Sequence, residues 1–224
     1  MDEQSAETRG RTLDHAAKVY DFCEPILLLG KQGAYNREIV ALLALEPGQR
    51  VLDLGCGTGE LTRMIADNLD VARGGQAVGV DAAAKMIQVA RKKRGSDACR
   101  FDVVAAESLP YEDGSFDAVV SSLFFHHVDL DLKQRTLAES FRVLPPGGKL
   151  VIADMHIPTT WMGWLVSWTS RWFFMQPQIA ENIRGMLPNL MTEAGFNPPE
   201  IRANYFGYIA IFTCHKPGGG HGTA

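Results

Sequence analysis

The run Val51-Leu-Asp-Leu-Gly55-Cys-Gly57-Thr-Gly59 carries the densest chemical signal in the sequence. An apolar segment ends in a glycine-rich turn. Glu60 then opens a segment with Leu61, Met64, Ile65 and Leu69 at helical spacing. Glycines let the backbone turn tightly and approach a ligand closely. The helix start beyond them offers unpaired N–H groups that suit an anion. A dinucleotide-binding turn would place its third glycine at position 60, where Glu60 stands. That carboxylate opposes a pyrophosphate, so a ligand with a carboxylate, an amine and no phosphate fits the turn better.

Asp81 ends a second apolar run, Val78-Gly-Val-Asp81, about twenty residues further on. An acid at that place can accept from both hydroxyls of a ribose. The competing reading is a helix cap for the segment that follows. His126 and His127 stand together in Leu-Phe-Phe-His-His-Val. Imidazole serves as a general base near neutral pH, and the alternative is a histidine packed in its loop. No third ligand accompanies the pair, so no metal is expected. All four tryptophans lie between Trp161 and Trp172. Trp161, Leu165, Trp168, Trp172 and Met175 fall on one face of a helix. That face reads as a lid packed on the core or as a substrate wall formed by Trp161, Trp168 and Trp172. Contact with a membrane surface is the third reading, weakened because Arg171 is the only cation of the segment.

The elements that must position these residues follow from hydrophobic period and turn residues. Helical spacing runs through 13–45, with Ile39, Leu42 and Leu43 on one face. Strands are expected from Arg50, at Gln76–Asp81, at 100–104, at Asp117–Ser122, at Lys149–Asp154, near 200–206 and at 208–215. Helices are expected at Glu60–Leu69, Lys85–Arg94, Leu130–Leu144 and, despite Pro188, Gln178–Ala194. This alternation predicts an α/β fold, a doubly wound and mostly parallel seven-stranded sheet with a helical lid. The last two strands are too close for a crossover and form an antiparallel edge hairpin. Ligands of such sheets bind at the carboxyl ends of the strands. We expect a single domain over 1–224, with an N-terminal helical lid at 1–45, a Trp-rich lid insertion at 157–176 and a flexible tail at 217–224.

Composition narrows the partners. The chain has 224 residues, 46% apolar, with a net charge of −4. Broad contact with nucleic acid or an anionic membrane needs concentrated Lys and Arg, so neither is expected. Arg91-Lys-Lys-Arg94 reads as a helix end, where cations suit the dipole. Cys23, Cys56, Cys99 and Cys214 form no CxxC pair and read as free thiols. The polar N-terminus lacks the apolar core of a signal peptide, and no run approaches ~18 apolar residues, so a cytoplasmic protein with a small-molecule substrate is expected.

Four segments in order, D-L-G-C-G-T-G, G-V-D-x-x-x-x-M-I, A-E-S-L-P-Y-E-D-G-S-F-D and L-P-P-G-G-K-L, resemble the motif set of class I methyltransferases that use S-adenosylmethionine (SAM). The chain looks most like the broad group containing the ubiquinone and menaquinone C-methyltransferases, over about residues 15–155. The resemblance implies a Rossmann-like methyltransferase fold and SAM as cofactor. It implies that Asp53, Gly55, Gly57 and Gly59 hold the methionine part and that Asp81 binds the ribose. Met86, Ala105 and Ala106 would lie by the adenine, Ser122 near the cofactor amine, and Tyr20 in the N-terminal lid. The Trp-rich segment favours transfer to a small apolar or aromatic substrate such as a quinone or lipid. The alternative is a SAM-binding sensor or partner subunit without transfer activity. Two positions depart from the pattern. Relatives usually carry Asp at the place of Ala105 and a helix-capping Ser at the place of Ala83.

Overall fold

The computed structural model describes residues 4–8, 32–173 and 178–218. Seven strands form one sheet: β1 (Arg50–Leu54), β2 (Gln76–Asp81), β3 (Cys99–Val103), β4 (Ala118–Ser122), β5 (Lys149–Met155), β6 (Glu200–Tyr205) and β7 (Ile209–His215). Their order is β3-β2-β1-β4-β5-β7-β6. The first five are parallel, whereas β7 runs antiparallel to both β5 and β6. The expected edge hairpin therefore forms with β7 inside and β6 at the edge.

Successive side chains on a strand face opposite sides, and both faces of this sheet are buried. Leu52, Leu54, Val78, Val80, Val119, Leu150 and Ile152 join one core. Val51, Ala77, Ala118, Val120, Val151 and Ala153 join the other. Helices α1 (Gln32–Leu43), α2 (Glu60–Ala66) and α3 (Ala84–Arg94) cover the second core with Tyr35, Ile39, Leu61, Ile65 and Ile87. Helices α4 (Leu130–Val143) and α7 (Met186–Glu193) cover the first with Leu137, Val143, Leu187, Leu190 and Met191. Helices α5 (Trp161–Phe173) and α6 (Ile179–Ile183) follow β5.

Helix α2 and the helix expected at Gln178–Ala194 depart from the sequence reading by more than a frayed end. Helix α2 ends at Ala66, and the chain reaches Leu69 through a turn in which Asn68 and Leu69 donate to Ile65 and Ala66. The expected helix Gln178–Ala194 is two helices, and the break lies at Gly185 rather than Pro188. Gly185 has φ +79°, and a Cβ there would meet the Ile157 side chain at 2.7 Å. Pro188 sits in the first turn of α7, where backbone N–H groups have no helical partner, so its missing N–H costs little. Among the described residues no helix is long and apolar enough to cross a membrane.

Gly59 shows how tightly the sheet and helices meet. Its φ is +88°, and an added Cβ would lie 2.4 Å from the Phe101 ring and 3.2 Å from Ala90 Cβ. Left-handed backbone and overpacking each cost about 1–3 kcal/mol. Gly59→Ala should therefore lower stability by about 2–5 kcal/mol, read as a lower urea midpoint at unchanged slope.

Candidate active site

The chain turns toward opposite edges of the sheet after β1 and β4, and a crevice opens at the carboxyl ends of those strands. Two hydrogen bonds set the glycine turn beneath it: the N–H groups of Gly55 and Cys56 both donate to the Val80 carbonyl, at 2.9 and 3.0 Å. Gly55 and Gly57 have φ +69° and +54°. The Phe124 ring occupies the place of a Gly55 Cβ, 2.5 Å from it, so only glycine fits. Gly57 N–H donates to one Asp81 carboxylate oxygen at 3.0 Å, and Ala83 N–H donates to the other at 2.8 Å. Asp81 thus ties the glycine turn to the entry of α3.

Gly55 and Gly57 separate two crevices. On one side Asp81, Met86, Ala106, Glu107 and His127 line the wall. On the other stand Gln32, Asn36, Asp53, Glu60 and Ser122. Asp53 is buried and accepts from the Thr62 hydroxyl at 2.6 Å. Ser122 shares a 3.0 Å hydrogen bond with the Tyr35 hydroxyl. Ala105 is buried behind Ala106, outside the crevice lining. Gly59 faces Phe101 and Ala90 instead of a crevice. Burial, then the charges of Asp53 and Asp81, raise the Cys56 pKa and keep this thiol neutral. Tyr20 lies outside the described residues.

The two departures from the family pattern meet the same short segment. The start of α3 has no side-chain cap of its own at Ala83. Ser5 supplies one, its hydroxyl accepting from Ala84 N–H at 3.1 Å. Ala6 N–H donates to the Ala82 carbonyl at 2.9 Å, and the Thr8 hydroxyl donates to Glu107. Residues 5–8 therefore bridge the loops after β2 and β3 across the first crevice. Glu107, two residues beyond Ala105, is a carboxylate on that wall beside Asp81.

At the ends of β4 and β5 a second carboxylate organises the site. Asp154 is fully buried. One oxygen accepts from Phe125 N–H at 2.7 Å. The other accepts from Met155 N–H at 2.7 Å and Asn182 Nδ2 at 3.2 Å, and it faces His126 Nδ1 at 2.8 Å. Burial pushes the Asp154 pKa up, but the His126 imidazole and the hydrogen bonds of His126 and Met155 outweigh it and hold the carboxyl below its usual range. An ionised carboxylate only accepts, so Nδ1 of His126 donates and Nε2 is the ring nitrogen not committed to Asp154. His127 lies against His126, with ring centroids 3.9 Å apart and planes tilted by 43°, and lines the first crevice.

The structure thus gathers Asp53, Gly55, Gly57, Asp81, Met86, Ala106, Ser122 and His127 around one turn, with His126 beside them. It adds Ser5, Thr8, Gln32, Asn36, Glu107, Asp154 and Asn182, of which only Glu107 falls within a quoted motif. Gln32 and Asn36 lie one helical turn apart, and Asp154 interrupts an apolar strand. Those were the available signals. Trp161 is exposed, and Trp168 packs against the cluster of Met155, Ile179 and Ile183. Neither lines the two crevices, and the Trp172 side chain lies outside the described ones.

Residues 52–152 match the family described as "Methyltransferase domain". The chain is 31% identical to the ubiquinone/menaquinone biosynthesis C-methyltransferase UbiE of Pseudomonas savastanoi pv. phaseolicola, over 96% of this chain and 91% of that one. It is 28% identical to the demethylmenaquinone methyltransferase of Symbiobacterium thermophilum, over 88% of each. Its fold matches that of the Haemonchus contortus phosphoethanolamine N-methyltransferase 2, solved with S-adenosyl-L-methionine. That match has a TM-score of 0.63 at 20% identity and covers 82% of this chain and 52% of that one.

Two outcomes follow from the carboxylates. Hydrogen bonds to a charged group are worth about 1.5–3 kcal/mol, so Asp81→Ala should weaken SAM binding roughly tenfold or more in calorimetry, and Ser5→Ala less. The depressed folded-state pKa of Asp154 means that its stabilisation is full above the unfolded value and is lost as pH falls through the folded one. The stability gap between wild type and Asp154→Asn should therefore be widest near neutral pH and shrink in acid, as measured by urea melts across pH.

Proposed function

The chain belongs to the class I SAM-dependent methyltransferases, in the group of the ubiquinone and menaquinone C-methyltransferases, and we propose that it methylates a small apolar aromatic acceptor of the quinol type, with His126 as general base. The observation that carries this reading is the buried Asp154–His126 pair at the ends of β4 and β5, next to the crevice wall at His127. The names of the two relatives that span most of the chain support the acceptor class.

The residues present suit the cofactor. Glycines at 55 and 57 keep the cradle open where a side chain would collide, and no phosphate need face Glu60. Asp53, Gly55 and Gly57 would hold the amino-acid end, near Ser122 and the amides of Gln32 and Asn36. Gly59 would act by fixing the turn from behind. Asp81 would take the ribose, and Met86 and Ala106 the adenine, with Glu107 as carboxylate acceptor in the place left by Ala105. When bound, SAM supplies an electrophilic methyl group on a sulfonium.

The chain then has three tasks. It aligns the acceptor, excludes water, and removes a proton. Nε2 of His126 accepts the proton of a phenolic O–H, and the electron pair left behind enriches the ring carbon beside that oxygen. Asp154 holds the Nδ1–H tautomer and offsets the charge of the imidazolium that results. Asn182, Phe125 N–H and Met155 N–H keep Asp154 in place, so it positions the base without touching the acceptor.

The test is transfer of labelled methyl from SAM to a short-chain demethylated quinol. His126→Ala and Asp154→Asn should each lower kcat by roughly 10²-fold or more and leave SAM affinity unchanged. Asp154→Glu should recover part of the loss if positioning is the role. Near-normal turnover in His126→Ala would overturn the base assignment, and no transfer to any quinol would overturn the acceptor class.

A further inference from the structure

Helix α5 has its small residues inside and its large apolar residues outside. Gly163 is buried so closely that an added Cβ would lie 2.2 Å from the Gly207 carbonyl oxygen, and Ser167, one turn later, is also buried. Trp161 is 76% exposed, Met162 and Trp164 56% each, and Leu165 47%, with Val166 and the preceding Ile157 extending the patch. A helix facing water shows the opposite arrangement. Thr169, on the same outer side, turns its hydroxyl back onto the carbonyls of Leu165 and Val166, at 2.7 and 3.1 Å. The hydroxyl is thereby satisfied without water, as in an apolar medium.

Residues 155–180 contain no Asp or Glu and one Lys or Arg, Arg171, so the stretch brings little charge to an apolar surface. We propose that α5 docks the protein on the surface of a lipid bilayer, lying in the interface with Trp161, Met162, Trp164 and Leu165 toward the acyl chains. Its 13 residues cannot span a bilayer, which takes about 20. They also make a poor dimer interface. A helix of that length is about 20 Å long and offers a footprint of a few hundred Å2, against about 800 Å2 per partner in a stable complex. The helix connects β5, which carries Asp154, to α6, which carries Asn182. Resting on the quinol reading, the surface would deliver a lipid-dissolved acceptor to the site.

All four tryptophans lie between Trp161 and Trp172, so intrinsic emission reports this helix alone. The full chain is sedimented with phosphatidylcholine vesicles, with and without phosphatidylglycerol, and its emission is followed with brominated acyl chains. Sedimentation with both vesicle types, a blue shift and bromine quenching are expected. The double variant Trp161→Ser, Trp164→Ser should partition roughly tenfold less or weaker still, with its melting temperature unchanged because both rings are exposed. Absence of sedimentation with either vesicle would overturn the proposal. So would a concentration-dependent dimer in light scattering that the double variant abolishes. Turnover of a short-chain soluble quinol separates the two readings. If it persists without vesicle binding, only the docking surface fails; if vesicles bind and no quinol is methylated, only the acceptor class fails.

Discussion

Asp154 is a buried carboxylate with four partners for two oxygens, and the ends of β4 and β5 with α6 are arranged around satisfying it. A buried charge left unpaired costs several kcal/mol, so none of those partners can leave independently. Phe125 N–H fixes the loop after β4, Met155 N–H the end of β5, and Asn182 the short helix α6. His126 is then oriented as a consequence, with one ring nitrogen committed to Asp154 and the other available. The same carboxylate constrains both ends of the excursion through α5, since that helix leaves from β5 and returns into α6. Trp168, Ile179 and Ile183 pack with Met155 beside it and exclude water from the joint.

Asp81 does the corresponding work on the cofactor side, and by the same geometry. Each acid sits at the carboxyl end of a parallel strand or one residue short of it, where the backbone leaves the sheet and N–H groups lose their ladder partners. Asp81 collects two such groups, Gly57 and Ala83, and so makes the glycine turn and the α3 entry one unit. The chain also recovers at long range what it lacks locally. Ser5 caps a helix 79 positions away, and Thr8 braces Glu107 at a separation of 99. A cofactor held between those loops is thereby held by the N-terminal segment as well.

What was legible in the sequence was what local spacing encodes. Strands buried on both faces read as apolar runs, and glycines at 55, 57 and 59 read as a turn because their backbone needs positive φ. Spacing could not separate Gly59 from the other two. All three share one conformation, and only the tertiary neighbour, Phe101 against the crevice, tells packing from binding. Asp154 was read as the last residue of a strand. Its meaning depends on β4 and β5 lying side by side, with Ser122 opposite Ala153, which brings the His126 loop over it. Ser5 and Thr8 were invisible for the same reason, as their partners lie far along the chain. The helix break fell at Gly185 because proline in a first turn obeys the helix, whereas a left-handed glycine ends one.

Helix α5 shows the limit of periodicity from the other direction. The sequence placed Trp161, Leu165 and Trp168 on one stripe, and they do share a side of the helix, with Trp168 at its edge tucked against the cluster of Met155, Ile179 and Ile183. Period says which residues share a face, but not what that face touches. Large apolar residues were read as the buried side because water ordinarily leaves no other choice. The discriminating signal was the spacing of the small residues. Gly163 lets the helix approach the Gly207 turn of the β6–β7 hairpin backbone to backbone, and Ser167, four residues on, is buried on the same side. No tryptophan could occupy that side, so close packing of the small face obliges the large residues to turn outward. The exposed aromatic surface is thus fixed by the way the helix is anchored, and it sits directly over the elements that hold Asp154.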